Sequence, residues 1–299
     1  MLDFSGIWVP LVTPFRDAGG GREPAVDTLA LTGLTARLAS QGVAGFIACG
    51  STGEAAMLDE AEQAAVLRAA IDGAGGKPVL MGLAGVRPAL VAARSRELAR
   101  DFPVAGYLVS APAYVKPDQA GLLDFFTTVA EASPVPVVAY DIPGRTAVRI
   151  APATLLALAA HPRIRAVKDC SSDPDAALAL LRDGRLALLA GNDDELFAQM
   201  ALGACGAIAA SAHLRPDLFV RLHALLRDQQ LHAAQVLWRA LRPLTEALFA
   251  EPNPMPVKGM LARQGLIGPA LRAPMRPASA ATLDRVDGVL AQLQAGWPA

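Results

Sequence analysis

Pro136-Val137-Val138-Ala139-Tyr140, Ile164-Arg165-Ala166-Val167-Lys168 and Leu186-Ala187-Leu188-Leu189-Ala190 are three short apolar runs separated by Pro152–Ala160 and Pro174–Arg182, two Ala/Leu segments of helical periodicity that each open on proline. The runs are continuous rather than alternating, as expected of strands covered on both faces in a parallel sheet. Parallel neighbours need a crossover long enough to hold a helix, and proline is well suited to the first turn of that helix. Working outward, the same unit recurs. Ile7–Val12, Gly45–Gly50, Pro78–Leu83 and Gly106–Ala111 precede it, and Gly206–Ala210 follows. Further helices are predicted over Asp59–Asp72, Pro88–Arg100, Gln119–Ala132 and Asp194–Leu202, the first capped by Asp59 with Glu62 at the capping-box position.

Eight strand-helix units predict an α/β protein of the (β/α)8 TIM-barrel type. A doubly wound sheet usually has fewer strands and a glycine-rich phosphate loop after the first one. Here the first strand is followed by Thr13-Pro14-Phe15. No strand run follows Pro216; helical stretches near 216–228, 230–249, 256–265 and 279–294 form a C-terminal bundle, interrupted by Glu251-Pro252-Asn253-Pro254-Met255-Pro256. The predicted division is residues 1–225 for the barrel with its active site and 226–299 for the helical region.

The 299 residues carry 27 Lys and Arg against 28 Asp and Glu, a balance without the clustered basic excess of a nucleic-acid binder. No apolar run approaches the ~20 residues that span a bilayer, and Met1-Leu2-Asp3-Phe4-Ser5 does not read as a signal peptide. The sparse cysteines Cys49, Cys170 and Cys205 fit a reduced protein. A cytoplasmic, globular protein without membrane or nucleic-acid partners is expected.

Catalytic groups of such barrels stand at the C-terminal ends of the strands. Those ends carry Thr13, Ser51-Thr52-Gly53-Glu54, Tyr114, Tyr140-Asp141, Lys168-Asp169, Gly191-Asn192-Asp193 and Ser211. Of four histidines only His213 lies near one, so neither a metal site nor a Ser-His-Asp triad is expected, and no cofactor. Only four of the basic residues are lysines, which leaves Lys77, Lys116, Lys168, Lys258 and the N-terminus as the primary amines. Lys168 closes a strand run. Two roles stand open for it: a desolvated amine that forms a Schiff base with a ketone, or an ion-pair partner of Asp169 or Asp193. Lys77 precedes its strand, at the opposite end of the barrel, whereas Lys116 and Lys258 are expected to be solvated. The loop Ser51–Glu54 suits either a carboxylate or phosphate, or the capping of a helix. Tyr140 reads as a proton shuttle or as an aromatic closing the barrel, and Arg145 as a carboxylate clamp or an ordinary surface arginine. Taken together, these residues describe a Schiff-base lyase acting on an α-keto acid.

Gly50-Ser51-Thr52-Gly53-Glu54, Tyr140-Asp141-Ile142-Pro143-Gly144-Arg145-Thr146, Val167-Lys168-Asp169 and Glu251-Pro252-Asn253-Pro254-Met255-Pro256-Val257-Lys258 resemble the motifs of the dihydrodipicolinate synthase / N-acetylneuraminate lyase family, in order and from Gly6 to about Leu293. The Gly-Arg-Thr and Glu-Pro-Asn-Pro segments look more like the synthase branch. The resemblance implies a Schiff base between pyruvate and Lys168, with the pyruvate carboxylate held by Thr52 and backbone N–H groups. It further implies a proton relay from Tyr140 through Ser51 to Tyr114 of a neighbouring subunit. Arg145 would bind the carboxylate of the aldehyde, aspartate semialdehyde, while Ile208 and Gly191 line the site. The product implied is 4-hydroxy-tetrahydrodipicolinate, of lysine and diaminopimelate biosynthesis, made by a homotetramer built as a dimer of dimers.

Ser51 replaces the family's usual threonine, Asp141 stands where asparagine is usual, and Ala147 where glycine commonly follows. An acid beside Tyr140 would repel an acidic aldehyde, which leaves a second reading: another pyruvate-dependent aldolase, dehydratase or deaminase, taking a keto-deoxy sugar acid, sialate or a hydroxyproline catabolite. A non-catalytic pyruvate-binding paralogue is a third, opposed by the intact Lys168, Tyr140 and Tyr114. Lysine-inhibited members carry His, Asn, Glu and Tyr where this chain has Glu60, Val86, Leu90 and Ala113. Val86 and Ala113 have no side-chain hydrogen-bonding group for the amino acid. Millimolar L-lysine is therefore expected to leave activity unchanged in a steady-state assay; strong inhibition would overturn this reading of the four positions.

Overall fold

The computed structural model describes residues 2–17, 19 and 23–297. Met1, whose amine was a candidate, lies outside them, as do residues 298 and 299 of the predicted helical region. The elements follow in the order β1 (Gly6–Pro10), β2 (Phe15–Arg16), β3 (Ala25–Val26), α1 (Thr28–Ser40), β4 (Gly45–Ala48), α2 (Glu60–Gly73), β5 (Val79–Leu83), α3 (Pro88–Asp101), β6 (Gly106–Ser110), α4 (Gln119–Ala132), β7 (Val137–Asp141), α5 (Pro143–Thr146), α6 (Pro152–Leu158), β8 (Ile164–Asp169), α7 (Pro174–Asp183), β9 (Ala187–Ala190), α8 (Leu196–Leu202), β10 (Gly206–Ile208), α9 (Pro216–Arg227), α10 (Leu231–Leu248), α11 (Met255–Arg263) and α12 (Ala280–Gly296). Eight strands form a closed parallel barrel in the order β1-β10-β9-β8-β7-β6-β5-β4, while β2 and β3 pair separately as an antiparallel ribbon. All eight predicted barrel strands are present. No described helix is long and apolar enough to cross a membrane.

Local chemistry accounts for the helix boundaries. Asp59 accepts from the Glu62 N–H at 2.8 Å and the Glu62 carboxylate accepts from the Asp59 N–H at 3.1 Å, completing the expected capping box of α2. Proline occupies the first turn of α3, α6, α7 and α9, where its missing N–H costs nothing. The sequence reading placed no helix at α1. Its buried positions Leu31, Leu34, Thr35 and Leu38 do follow a helical period, yet three threonines and Gly33 lower its helix propensity. Each strand of the ribbon is two residues long, too short for any period to show.

The chain divides into two compact units: Pro78–Ile208 with the residues up to Gly6, and Ile7–Lys77 with the residues from Ala209 onward. In the first, α3 packs on α4, α4 on α6, and α6 on α7. Tyr107, buried in β6, donates to the Ser95 carbonyl of α3 at 2.5 Å and so fixes that helix to the sheet. In the second, α1 packs on α2, and α10 packs on α9 and α12.

His213 belongs to the second unit and is wholly buried. Its Nε2 accepts from the Val12 N–H at 3.2 Å, so the ring proton sits on Nδ1 and is donated to the Ala210 carbonyl at 2.8 Å. Both nitrogens are used by backbone, which makes the histidine near a strand end a structural staple rather than a site. Burial pushes its pKa down to about 4. The unfolded chain therefore takes up this proton near pH 6.5 while the native state refuses it, and stability falls as pH drops from about 6.5 to about 4, by up to about 3 kcal/mol. A His213→Gln variant is expected to flatten this part of the stability–pH curve measured by urea unfolding.

Candidate active site

In the first unit, β7 and β8 run in register with Tyr140 opposite Lys168 and Asp141 opposite Asp169. Successive residues of a strand face opposite sides, so this register puts Tyr140 and Lys168 on one face and the two carboxylates on the other. The contacts agree. Lys168 Nζ lies 4.4 Å from the centre of the Tyr140 ring. The Asp169 carboxylate instead accepts from the Ser171 N–H at 2.8 Å and from Gln199 of α8 at 3.1 Å. Lys168 is 6% exposed and forms no ion pair among the described residues. The ion-pair role left open by the sequence is thus not taken up. Burial is the main cause that lowers the Lys168 pKa; Arg145 adds to it, while Cys170 and Asp193 oppose it. The amine is thereby biased towards its nucleophilic, uncharged form.

Around this amine the chain is tightly fitted. Cys170 is partly buried beside it, its Sγ 4.0 Å from the Tyr140 hydroxyl, and desolvation pushes the thiol up to about 12. Gly191 donates its N–H to the Asp169 carbonyl at 2.8 Å, and a Cβ there would collide with Cys170 Sγ and lie 3.0 Å from the Lys168 side chain. Only glycine fits. Arg145 is exposed on the four-residue helix α5, which ends on Ala147 at φ 60°. That left-handed conformation favours glycine, the residue that the resemblance led one to expect at this position. Ile208 ends β10 and is buried.

The second unit holds the loop after β4. It is bracketed by two non-glycine residues in the left-handed region, Cys49 (φ 52°) and Glu54 (φ 55°), a strained geometry that the surroundings must enforce. They do. Glu54 and Lys258 are both fully buried, with Nζ 2.5 Å from Oε1, and the ammonium also lies 4.2 Å from the Phe15 ring centre. The expectation that Lys258 is solvated is therefore corrected: it follows a Pro-rich segment into α11, whose first turn faces the loop. Burial lowers its pKa, opposed by the charge of Glu54. Arg272 adds its backbone N–H to Glu54 at 3.4 Å and its guanidinium to the Met57 carbonyl and the Glu62 carboxylate. Within the loop, neither Ser51 nor Thr52 caps a helix; that role falls to Asp59 outside it. The Thr52 hydroxyl instead accepts from Asn253 Nδ2 at 2.9 Å.

With this geometry in place, comparison with known proteins is decisive. The dihydrodipicolinate synthetase family model matches residues 3–293. The chain belongs to this family. A 4-hydroxy-tetrahydrodipicolinate synthase of Methanospirillum hungatei is 35% identical over 293 residues, covering 97% of this chain and 99% of that one. The crystal structure of dihydrodipicolinate synthase from Thermotoga maritima matches with a TM-score of 0.91 at 29% identity, covering 97% and 98% of the two chains. A monomeric dihydrodipicolinate synthase variant matches with the same TM-score and identity, covering 97% and 96%.

Of the residues the family resemblance singles out, Lys168, Tyr140, Arg145 and Gly191 meet in the first unit, and Ser51 and Thr52 share the loop of the second. Tyr114 stands apart. It is 93% exposed on the loop after β6, at φ 73°. Ser51 is exposed and its hydroxyl has no hydrogen bond among the described residues. Sequence reasoning gave no individual role to Asn253, Glu54, Lys258, Cys170 or Gln199, although Glu54, Asn253 and Lys258 lie inside motifs it quoted.

The expectation that Asp141 faces the substrate beside Tyr140 is corrected too. Asp141 follows Tyr140 in sequence but lies on the opposite face, accepting from the Ile150 N–H at 3.2 Å, so it is not turned on a substrate beside Tyr140. Burial raises its pKa to about 7, with the Asp169 charge adding to the rise. A native pKa above the unfolded value means stability is lost as pH climbs from about 4 to 7, on the order of 3–4 kcal/mol. Asp141→Asn keeps an acceptor for Ile150 and removes the penalty. Denaturant melts are expected to show the variant more stable than the parent above pH 7, with the difference vanishing below pH 4.

Proposed function

We propose that this protein condenses pyruvate with aspartate semialdehyde to give 4-hydroxy-tetrahydrodipicolinate, holding pyruvate as a Schiff base on Lys168. The observation that carries the reading is the buried, unpaired Lys168 amine against Tyr140, in a family whose relatives bear that activity's name. The amine attacks the pyruvate ketone and one water leaves, giving an imine. Loss of a methyl proton turns it into an enamine, with the protonated nitrogen as the electron sink. The enamine carbon bonds to the aldehyde carbon, whose oxygen takes up a proton. The amino group of the adduct then attacks the imine carbon and displaces Lys168, closing the ring.

In this reading Thr52 and the loop N–H groups hold the pyruvate carboxylate, and Ile208 and the Gly191 backbone line the site. Arg145 binds the carboxylate of the semialdehyde in the forked geometry its guanidinium favours. Tyr140 moves protons by way of Ser51 and Tyr114, the last reaching in from a second copy. The exposure of Tyr114 supports that contribution and, with it, a homotetramer assembled as a dimer of dimers. Three free cysteines are consistent with work in the cytoplasm.

Sodium borohydride with pyruvate is expected to fix a reduced adduct on Lys168 near neutral pH, found by peptide mass mapping. Lys168→Ala should lose it along with activity, by on the order of 10³-fold or more. Turnover of pyruvate plus aspartate semialdehyde is the accompanying assay. An adduct without that turnover, together with cleavage of a keto-deoxy sugar acid, would replace the second substrate; absence of the adduct would overturn the whole reading.

A further inference from the structure

We propose that Asn253 fixes the polarity of the Thr52 hydroxyl, which makes it a positioning residue for the anionic end of the keto acid. The proposal rests on the reading that Thr52 holds the pyruvate carboxylate. A threonine hydroxyl has one proton to give and two lone pairs to accept with. The Asn253 amide nitrogen has only protons to give, so its 2.9 Å hydrogen bond makes Thr52 Oγ1 the acceptor. Among the described residues Oγ1 has no other partner, and its own proton is left for an incoming group. Thr52 is buried, so a ligand group there has to suit a lone donor in place of water. A carboxylate oxygen, which only accepts, is that group. Without the amide, the hydroxyl is free to turn and spend its proton on a nearby backbone carbonyl, as threonines in short turns do.

The amide donor is itself held at both ends of its segment. Two residues before it, the Glu251 carboxylate accepts from the Ser279 hydroxyl at 2.6 Å and from the Ser279 N–H at 3.0 Å. Five residues after it, Lys258 is locked on Glu54. Thr52 and Glu54 belong to one loop, and Asn253 and Lys258 to one segment. The two pairs make a two-point clamp in which the ion pair sets the distance and the amide sets the direction of the hydroxyl.

The test is a cycle of Asn253→Ala, Thr52→Val and the double variant, reading the pyruvate concentration that half-saturates borohydride trapping on Lys168 together with kcat at saturating pyruvate. Asn253→Ala is expected to raise the half-saturating concentration about tenfold, with kcat within about twofold of the parent. Thr52→Val should raise it at least as much, and adding Asn253→Ala to that variant should cost nothing more, because the amide acts only through the hydroxyl. Asn253→Leu, similar in size but without a donor, enters the same cycle if the alanine variant does not fold. Unchanged half-saturation in the Asn253 variants, or losses that add in the double variant, would overturn the proposal while leaving Thr52 in its role. No effect of Thr52→Val would overturn the reading beneath it, and the proposal with it.

Discussion

Closing a parallel barrel obliges every strand to bury both of its faces, one among the strands and one against the helices, and that obligation organises the candidate site. At the ends of β7 and β8 it sorts four polar residues by parity alone. Tyr140 and Lys168 fall on one side; Asp141 and Asp169 fall on the other. The sorting separates an amine from the carboxylate next to it in sequence, which would otherwise neutralise it. Burial then acts without opposition from a close ion pair, and the amine loses affinity for its proton. The carboxylates, turned towards helices, take hydrogen bonds from Ile150, Ser171 and Gln199.

A second constraint is the buried pair of Glu54 and Lys258. Such a pair rarely adds much net stability, because both charges must be stripped of water, yet losing one partner leaves the other stranded, at a cost of about 3–5 kcal/mol. It therefore enforces position more than it contributes stability. Here the position enforced is that of a loop whose Cys49 and Glu54 backbones are both left-handed. Arg272 and Phe15 complete the surroundings of the pair, so residues far apart in sequence are required for the loop to keep its shape.

The eight barrel strands and the late helices were legible in the sequence because continuous apolar runs and proline-opened segments are local signals. Lys168 was legible for the same reason, as the one lysine closing such a run. What was not legible depended on pairing across long sequence separations. Lys258 looked solvated because nothing near it in sequence announces Glu54, and Asp141 looked like a substrate-facing acid because adjacency to Tyr140 conceals the change of face. That Ser51 and Thr52 cap no helix also had to wait for the structure, where the Thr52 hydroxyl is met by Asn253. Helix α1 was missed through its composition rather than its pattern.

Arg145 sits at the exposed rim on a four-residue helix, whereas Lys168 and Tyr140 are buried at strand ends and Gly191 beside them has no room for even one added carbon. The two parts of the site therefore differ in how freely they can change. Substitutions at the rim disturb little packing; substitutions at the strand ends disturb the fold and the amine together. A lineage built on this plan can vary its rim through surface replacements while its strand ends stay fixed, and a laboratory redesign would begin at the same place.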